Sequence, residues 1–302
     1  MKKTLRPPDL VPGDRIGIVA PARKVNREEM APALETIRLW GFEAVEGDHL
    51  YGEHHQFSGT DAERTADMQR MLDDDSVKAV FCARGGYGSV RVIDRLDFTN
   101  FQKKPKWIAG YSDITVFHSH IHTQFGIQTL HAPMPINFGP GHHMEKGINF
   151  LREVLKGSSP EYHTEHHHFN RPGKATGTLV GGNLSMLCSL IGSPSDIDTE
   201  GKILFIEDLD EYLYHIDRMM MNLKRAGKLE GLAGLVVGGM SEMNDNPVPY
   251  GKTAIEIIRD ITSVYNFPVL FDFKSGHIPE NLVLILGGHA QLEVGEECFL
   301  RL

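Results

Sequence analysis

Cysteine is scarce. The three residues present, Cys82, Cys188 and Cys298, lie far apart in apolar runs with no C-x-x-C pair. A disulfide scaffold and a C-x-x-C redox or zinc motif are thereby excluded, and reduced, buried thiols in a cytoplasmic protein are expected. None of the three sits at a strand-to-helix turn, which speaks against a cysteine nucleophile. Positive charge is also short, with 31 Lys and Arg against 40 Asp and Glu, a net of −9. A nucleic-acid polyanion is therefore not the expected partner, since phosphate binding needs clustered cations. No apolar run reaches the ~18 residues of a membrane span. Met1-Lys2-Lys3 resembles the start of a secretion signal. It is followed by Pro7-Pro8-Asp9-Leu10-Val11-Pro12-Gly13-Asp14, which holds no apolar core, so no signal peptide is expected. Gly (31) and Pro (16) are at ordinary levels, which excludes collagen-like and low-complexity classes. What is present is 41% hydrophobic and 24% charged residues over 302 positions, enough for a sizeable core and about two domains.

The first half alternates strand and helix signals. Residues 15–20 form a short apolar run stopped by Pro21. Asn26 with Glu29, and Thr60 with Glu63, are capping boxes that open two helices, the first ended by Gly41. Segments 42–45, 78–83 and 106–110 read as strands, and 113–124 as a helix. This βαβα rhythm implies a parallel sheet covered by helices, with ligands bound outside the carboxyl ends of its strands. The turns at 84–88 and 110–112 then open onto one crevice. Periodicity fails between about 156 and 174, where Ser, Pro, His and Gly dominate. The expected division is a domain over 1–158, a linker over 159–173 and a second domain over 174–302. The second domain reads as α+β with a curled sheet, its strands at 175–181, 202–207, 231–238, 268–271, 282–287, 291–294 and 298–302. Helices are expected there at 184–191, 212–225 and 253–261, and no internal repeat is evident.

The most informative segment is Trp107-Ile108-Ala109-Gly110-Tyr111-Ser112-Asp113-Ile114, an apolar strand running through a tight turn into a helix. Such a turn lifts a hydroxyl out of the sheet edge, above the positive end of the helix dipole. Ser112 is either a nucleophile there or a helix cap. Ile114 replaces the second glycine of G-x-S-x-G, which disfavours an ordinary α/β-hydrolase. An acyl-transfer site also needs a base, an orienting carboxylate and an oxyanion hole. The Asp113 amide is the natural first oxyanion donor, and Gly85-Gly86 offer a second because a chain without Cβ approaches an oxygen closely. The same Arg84-Gly85-Gly86-Tyr87-Gly88 turn lacks the residues of a phosphate loop. His277, in a loop between strands, is the best-placed base. His118 and His122 share a helix face but lack a helical carboxylate, so core or solvated histidines are expected there. The run from His163 to His168 reads as a solvated loop. Glu207 is the first polar group after the apolar strand 203–206, with Asp208, Asp210 and Glu211 as rivals. Asp210 and Glu211 fit an acidic first helical turn.

Taken together, these segments resemble the LD-carboxypeptidase family of serine peptidases, which includes muramoyl-tetrapeptide carboxypeptidases and microcin C self-immunity hydrolases. The likeness runs in order through Val11-Pro12-Gly13-Asp14-Arg15-Ile16, Val19-Ala20-Pro21-Ala22 and Phe57-Ser58-Gly59-Thr60-Asp61-Ala62-Glu63-Arg64. It continues through Ala83-Arg84-Gly85-Gly86-Tyr87-Gly88, Gly110-Tyr111-Ser112-Asp113-Ile114-Thr115 and Gly181-Gly182-Asn183-Leu184-Ser185, and ends with Leu204-Phe205-Ile206-Glu207-Asp208 and Gly276-His277. The resemblance implies a flavodoxin-like parallel-sheet N-terminal domain and a smaller, β-barrel-like C-terminal one. It implies Ser112 as nucleophile, His277 as general base, Glu207 as its orienter, and Gly86 and Asp113 as oxyanion amides. Arg84 and Gly85 are candidates for substrate binding. The implied enzyme is a cytoplasmic homodimer without metal or organic cofactor that removes the terminal D-alanine from murein tetrapeptides during cell-wall recycling. The alternatives are a microcin-type hydrolase of peptidyl or aminoacyl nucleotides and a non-catalytic peptide or sugar clamp. Between Met134 and Gly173 the chain has Phe and Tyr but no Trp to stack on a base, which favours the cell-wall reading. Two departures stand out: His131-Ala132-Pro133-Met134 in place of His-Gly-Pro-Met, and Leu286-Gly287-Gly288-His289 in place of a Pro-Ile-Gly ending.

Overall fold

The computed structural model describes residues 4–302, so the Met1-Lys2-Lys3 opening weighed as a leader lies outside the described residues. Among the described residues no helix is long and apolar enough to cross a membrane. The first half runs β1 (Arg15–Val19), α1 (Arg27–Leu39), β2 (Glu43–Glu46), α2 (Asp61–Asp73), β3 (Val77–Cys82), α3 (Thr99–Lys103), β4 (Trp107–Gly110), α4 (Thr115–Phe125) and β5 (Thr129–His131). Both expected capping boxes form. Asn26 accepts from the Glu29 amide at 2.9 Å while Glu29 accepts from the Asn26 amide at 2.8 Å, and Thr60 with Glu63 repeats the pattern. These strands pair in parallel in the order β2-β1-β3-β4-β5, a flavodoxin-like arrangement. Strand alternation splits the apolar side chains between two cores. Ile16, Ile18, Phe81, Trp107 and Ala109 face one helical layer, and Val80, Cys82 and Ile108 face the other.

The chain continues through α5 (Glu145–Leu155), β6 (Glu161–Thr164), β7 (Gly173–Asn183), α6 (Leu184–Leu190), β8 (Ile203–Leu209), α7 (Leu213–Arg225), β9 (Gly234–Ser241), α8 (Ala254–Thr262) and β10 (Val269–Leu270). Then come β11 (Leu284–Leu286), β12 (His289–Val294) and β13 (Cys298–Arg301). The second sheet is mixed, in the order β10-β9-β8-β7-β12-β13-β6. Its β7-β8-β9-β10 half is parallel, with α6, α7 and α8 as the crossovers. The other half is antiparallel. The β6–β7 connection folds back onto the β10 edge, where Arg171 and Val269 exchange two backbone hydrogen bonds of 3.0 and 3.1 Å.

Two features differ from the sequence reading. The stretch 159–173, read as a linker, contains β6, an edge strand of the second sheet whose partner β13 is 135 residues or so downstream. Strand β11 leaves the C-terminal half altogether and pairs antiparallel with β5 of the first sheet, with His131 opposite Leu284. The two sheets therefore interlock through β11.

Candidate active site

Strand β4 ends at Gly110, and Ser112 follows with φ of +64°, a left-handed conformation that an L-residue adopts only under constraint. A short 3-10 turn, Ser112–Ile114, leads into α4, and neither element has a side-chain cap bond. The capping role considered for Ser112 is therefore absent, and its hydroxyl is left facing the crevice end of the sheet. His118 fixes the strand end from below. Its Nε2 lies 2.9 Å from the Gly110 carbonyl and its Nδ1 2.8 Å from Thr129 Oγ1, which leaves neither nitrogen for a metal. Burial holds its pKa down to about 4. Among the described residues no group of three or more His, Cys, Asp or Glu is placed to hold a metal ion.

The glycine turn packs onto Ser112 from the side. A Cβ at Gly85 would lie 3.0 Å from Ser112 Oγ and 2.9 Å from its Cβ. The fully buried Asp113 carboxylate locks the two turns together by accepting the Ser89 amide at 2.8 Å, and burial pushes its pKa up. The Gly86 and Asp113 amides donate to no backbone carbonyl outside the regular elements. The Arg84 guanidinium lies 3.7 Å from Glu29, in a recess shared with Lys24, Arg27 and Glu53. Ala132 has ordinary backbone angles and is buried in the core, so the departure from His-Gly-Pro-Met strains nothing. We expect Gly85→Ala to displace Ser112 and lower kcat/KM by about 100-fold, the order of effect an ångström-scale misplacement produces. Steady-state kinetics with a thermal melt would check this, the melt reporting an intact fold.

The remaining two groups come from the second sheet. Glu207 sits on β8, where strand alternation puts Phe205 and Glu207 on one face and Ile206 and Asp208 on the other. Asp208 turns to the helical side, accepting from Asn183 Nδ2 and the Ser185 amide at 2.9 Å each, and burial pushes its pKa up to about 7. Asp210 is taken by Asn244 and Glu211 by His215, each at 2.7 Å, so the rivals to Glu207 are all engaged elsewhere. Opposite Glu207 the β8–β9 register slips by one, with Gly238 and Gly239 together facing that single residue, and the Gly239 amide donates to the Ser275 carbonyl at 3.0 Å. That bulge brings the Ser275-Gly276-His277 loop over the carboxylate. Gly276 (φ +110°) is required there, since a Cβ would fall 2.7 Å from Glu207 Oε2.

His277 Nδ1 lies 2.7 Å from Glu207 Oε2, and the His277 amide donates to the same oxygen at 3.3 Å. The imidazole packs against Tyr111, the residue before Ser112, with ring centres 4.7 Å apart. Ser241 Oγ fixes the loop by donating to the His277 carbonyl at 2.8 Å. Glu207 is entirely buried. Burial alone would push its pKa up, but His277 outweighs that and holds it below the ordinary value. Burial pushes His277 down, and Glu207 more than compensates, with smaller help from Asp208 and Glu242, so the imidazole is raised. Among the described residues His277 is bonded to Glu207 and not to Ser112.

Fold and site together define a serine hydrolase assembled across two interlocked sheets. Residues 16–132 match the model of the LD-carboxypeptidase N-terminal domain and residues 176–292 that of the LD-carboxypeptidase C-terminal domain. A probable murein peptide carboxypeptidase of Bacillus subtilis is 38% identical over 299 residues, covering 97% of this chain and 92% of the relative. A crystal structure of a muramoyltetrapeptide carboxypeptidase from Oxalobacter formigenes superposes with a TM-score of 0.85 at 29% identity, over 95% of this chain and 98% of that one. The microcin C7 self-immunity protein in complex with aspartyl sulfamoyl adenosine shares the fold, with a TM-score of 0.88 at 21% identity over 98% of each chain. The chain belongs to the LD-carboxypeptidase family and is a serine-type carboxypeptidase.

Proposed function

We propose that this enzyme removes the terminal D-alanine of murein tetrapeptides, with Ser112 as nucleophile, His277 as general base and acid, and Glu207 as the carboxylate that orients the imidazole. The reading is supported above all by the 2.7 Å pair between Glu207 and His277, whose imidazole packs on Tyr111, together with the next residue, Ser112, held at positive φ. The substrate class is supported by the murein peptide carboxypeptidase of Bacillus subtilis and the muramoyltetrapeptide carboxypeptidase of Oxalobacter formigenes, both similar along nearly the whole chain. In this scheme His277 Nε2 takes the Ser112 proton as Oγ attacks the carbonyl before D-alanine. The Gly86 and Asp113 amides hold the oxyanion, and His277 returns the proton to the leaving amine. Water, activated by the same imidazole, then hydrolyses the acyl-enzyme. We place the reaction in cytoplasmic recycling of cell-wall peptides.

Incubation with a defined tetrapeptide should yield tripeptide and one D-alanine, read by mass spectrometry. Cleavage of an aminoacyl sulfamoyl adenylate with the tetrapeptide left intact would move the substrate to the microcin type. Binding of the peptide without product, and without labelling of Ser112 by a serine-reactive phosphonate, would make the protein a clamp rather than an enzyme.

A further inference from the structure

Beneath the Glu207–His277 pair lie four buried polar atoms with no hydrogen-bond partner: Glu207 Oε1, both ring nitrogens of His131, and Asn281 Nδ2. His131 is entirely buried at the end of β5, opposite Gly110 on one side and Leu284 of the interlocking strand β11 on the other. Its ring centre is 5.0 Å from that of Phe205, two residues before Glu207 on the same face of β8, and 5.8 Å from that of Tyr111. Asn281 is entirely buried too. Its Oδ1 accepts the Gly276 amide at 2.8 Å, which ties it to the loop carrying His277, while its Nδ2 has no partner.

The unpartnered groups match one another. A neutral imidazole has one donor and one acceptor. Asn281 Nδ2 is a donor, Glu207 Oε1 is an acceptor, and leaving any of them unpaired in the interior is costly. On the reading of Ser112, His277 and Glu207 above, we propose that His131 is a positioning residue for Glu207: neither bond is formed in this structure, and in the working enzyme its ring N–H donates to Oε1 and its other nitrogen accepts from Asn281 Nδ2. One carboxylate is then held between two histidines, Oε2 by His277 and Oε1 by His131. The chain of contacts runs from the first sheet through Glu207 to the His277 loop and back through Asn281, so the two sheets register against each other at the reacting centre. Burial depresses the His131 pKa to about 3, which keeps the ring neutral and leaves both its roles available throughout the working pH range.

The test separates donor from packing. His131→Phe keeps an aromatic ring among Phe205 and Tyr111 but removes the N–H, whereas His131→Gln keeps a donor and an acceptor. Loss of one hydrogen bond to a charged group should lower kcat/KM of the Phe variant by about 10- to 100-fold. The groups that face His277 are Glu207 and Asp208 from β8, Glu242 after β9, Tyr111 after β4 and His131 from β5. Without the His131 donor, Glu207 acts more strongly on His277, so the acid limb of kcat/KM moves to higher pH. The Gln variant should recover most of the rate and restore the limb. A Phe variant with the wild-type rate and limb, or a Gln variant as impaired as the Phe one, overturns the proposal. Should the Phe variant fail to fold, nitrogen-15 imidazole spectra of the wild-type enzyme decide: one protonated and one bare ring nitrogen on His131 from pH 5 to 9 are expected, and a charged ring there refutes it. If Ser112→Ala keeps full activity, the site reading itself fails, whatever His131 does.

Discussion

Ser112→Ala should lose on the order of 10⁴- to 10⁶-fold in kcat, the cost of removing a nucleophile from a cooperating set, while the fold stays intact. The expected result is sharper for Ser112→Gly. At φ of +64° the serine pays a backbone penalty that glycine does not, and its hydroxyl caps no helix. The Gly variant should therefore be as inactive as the Ala one yet melt above wild type, by up to about 1 kcal/mol of added stability. Loss of activity with a gain in stability is the signature of a residue kept for chemistry. If Ser112→Gly melted lower, the hydroxyl would have a structural role that the geometry does not show. Steady-state turnover of a tetrapeptide and parallel thermal melts measure both halves of the expectation.

Much of this was legible in the sequence because it is locally encoded. The capping boxes at Asn26 and Thr60, the apolar runs of β1, β3 and β4, and the Gly110-Tyr111-Ser112 turn each depend on residues within one helical turn or strand. The choice among Glu207, Asp208, Asp210 and Glu211 was open for a physical reason. Glu207 and Asp208 differ only in the face they occupy, which the β8–β9 register and its bulge at Gly238-Gly239 set, while Asp210 and Glu211 fall just past the strand end, which the sequence does not mark. Strand β6 escaped notice because Glu161–Thr164 is a short polar edge strand, partnered by residues at the far end of the chain. Strand β11 gave a strand signal, but nothing local says that it joins β5 rather than the sheet of its neighbours. Helix α5 carries its signal locally too, in the helical spacing of Leu151, Val154 and Leu155. His131 stands in a sequence motif, but its packing against Phe205, 74 residues downstream, is a long-range contact that spacing cannot reveal.

Glu207→Gln should cost on the order of 10³- to 10⁴-fold in kcat, as loss of an orienting carboxylate does when the imidazole no longer keeps its tautomer. Its effect on pH dependence has a definite sign. In the wild-type enzyme burial pushes the His277 pKa down and Glu207 overcomes it, so the acid limb of kcat/KM lies above the ordinary 6.5. With a neutral amide at 207, burial prevails and the limb should fall below 6.5, opposite to the shift expected for His131→Phe. Stability follows the same pair. The raised His277 contributes fully below its ordinary 6.5, and its share is lost as pH climbs through the folded value. The lowered Glu207 contributes above its ordinary 4.5, and its share is lost as pH drops through the folded value. The wild-type advantage over Glu207→Gln should therefore be greatest between 4.5 and 6.5 and narrow on either side. Denaturant titrations across that range measure it. An advantage still growing above neutral pH would mean that the carboxylate stabilises the fold through some partner other than His277.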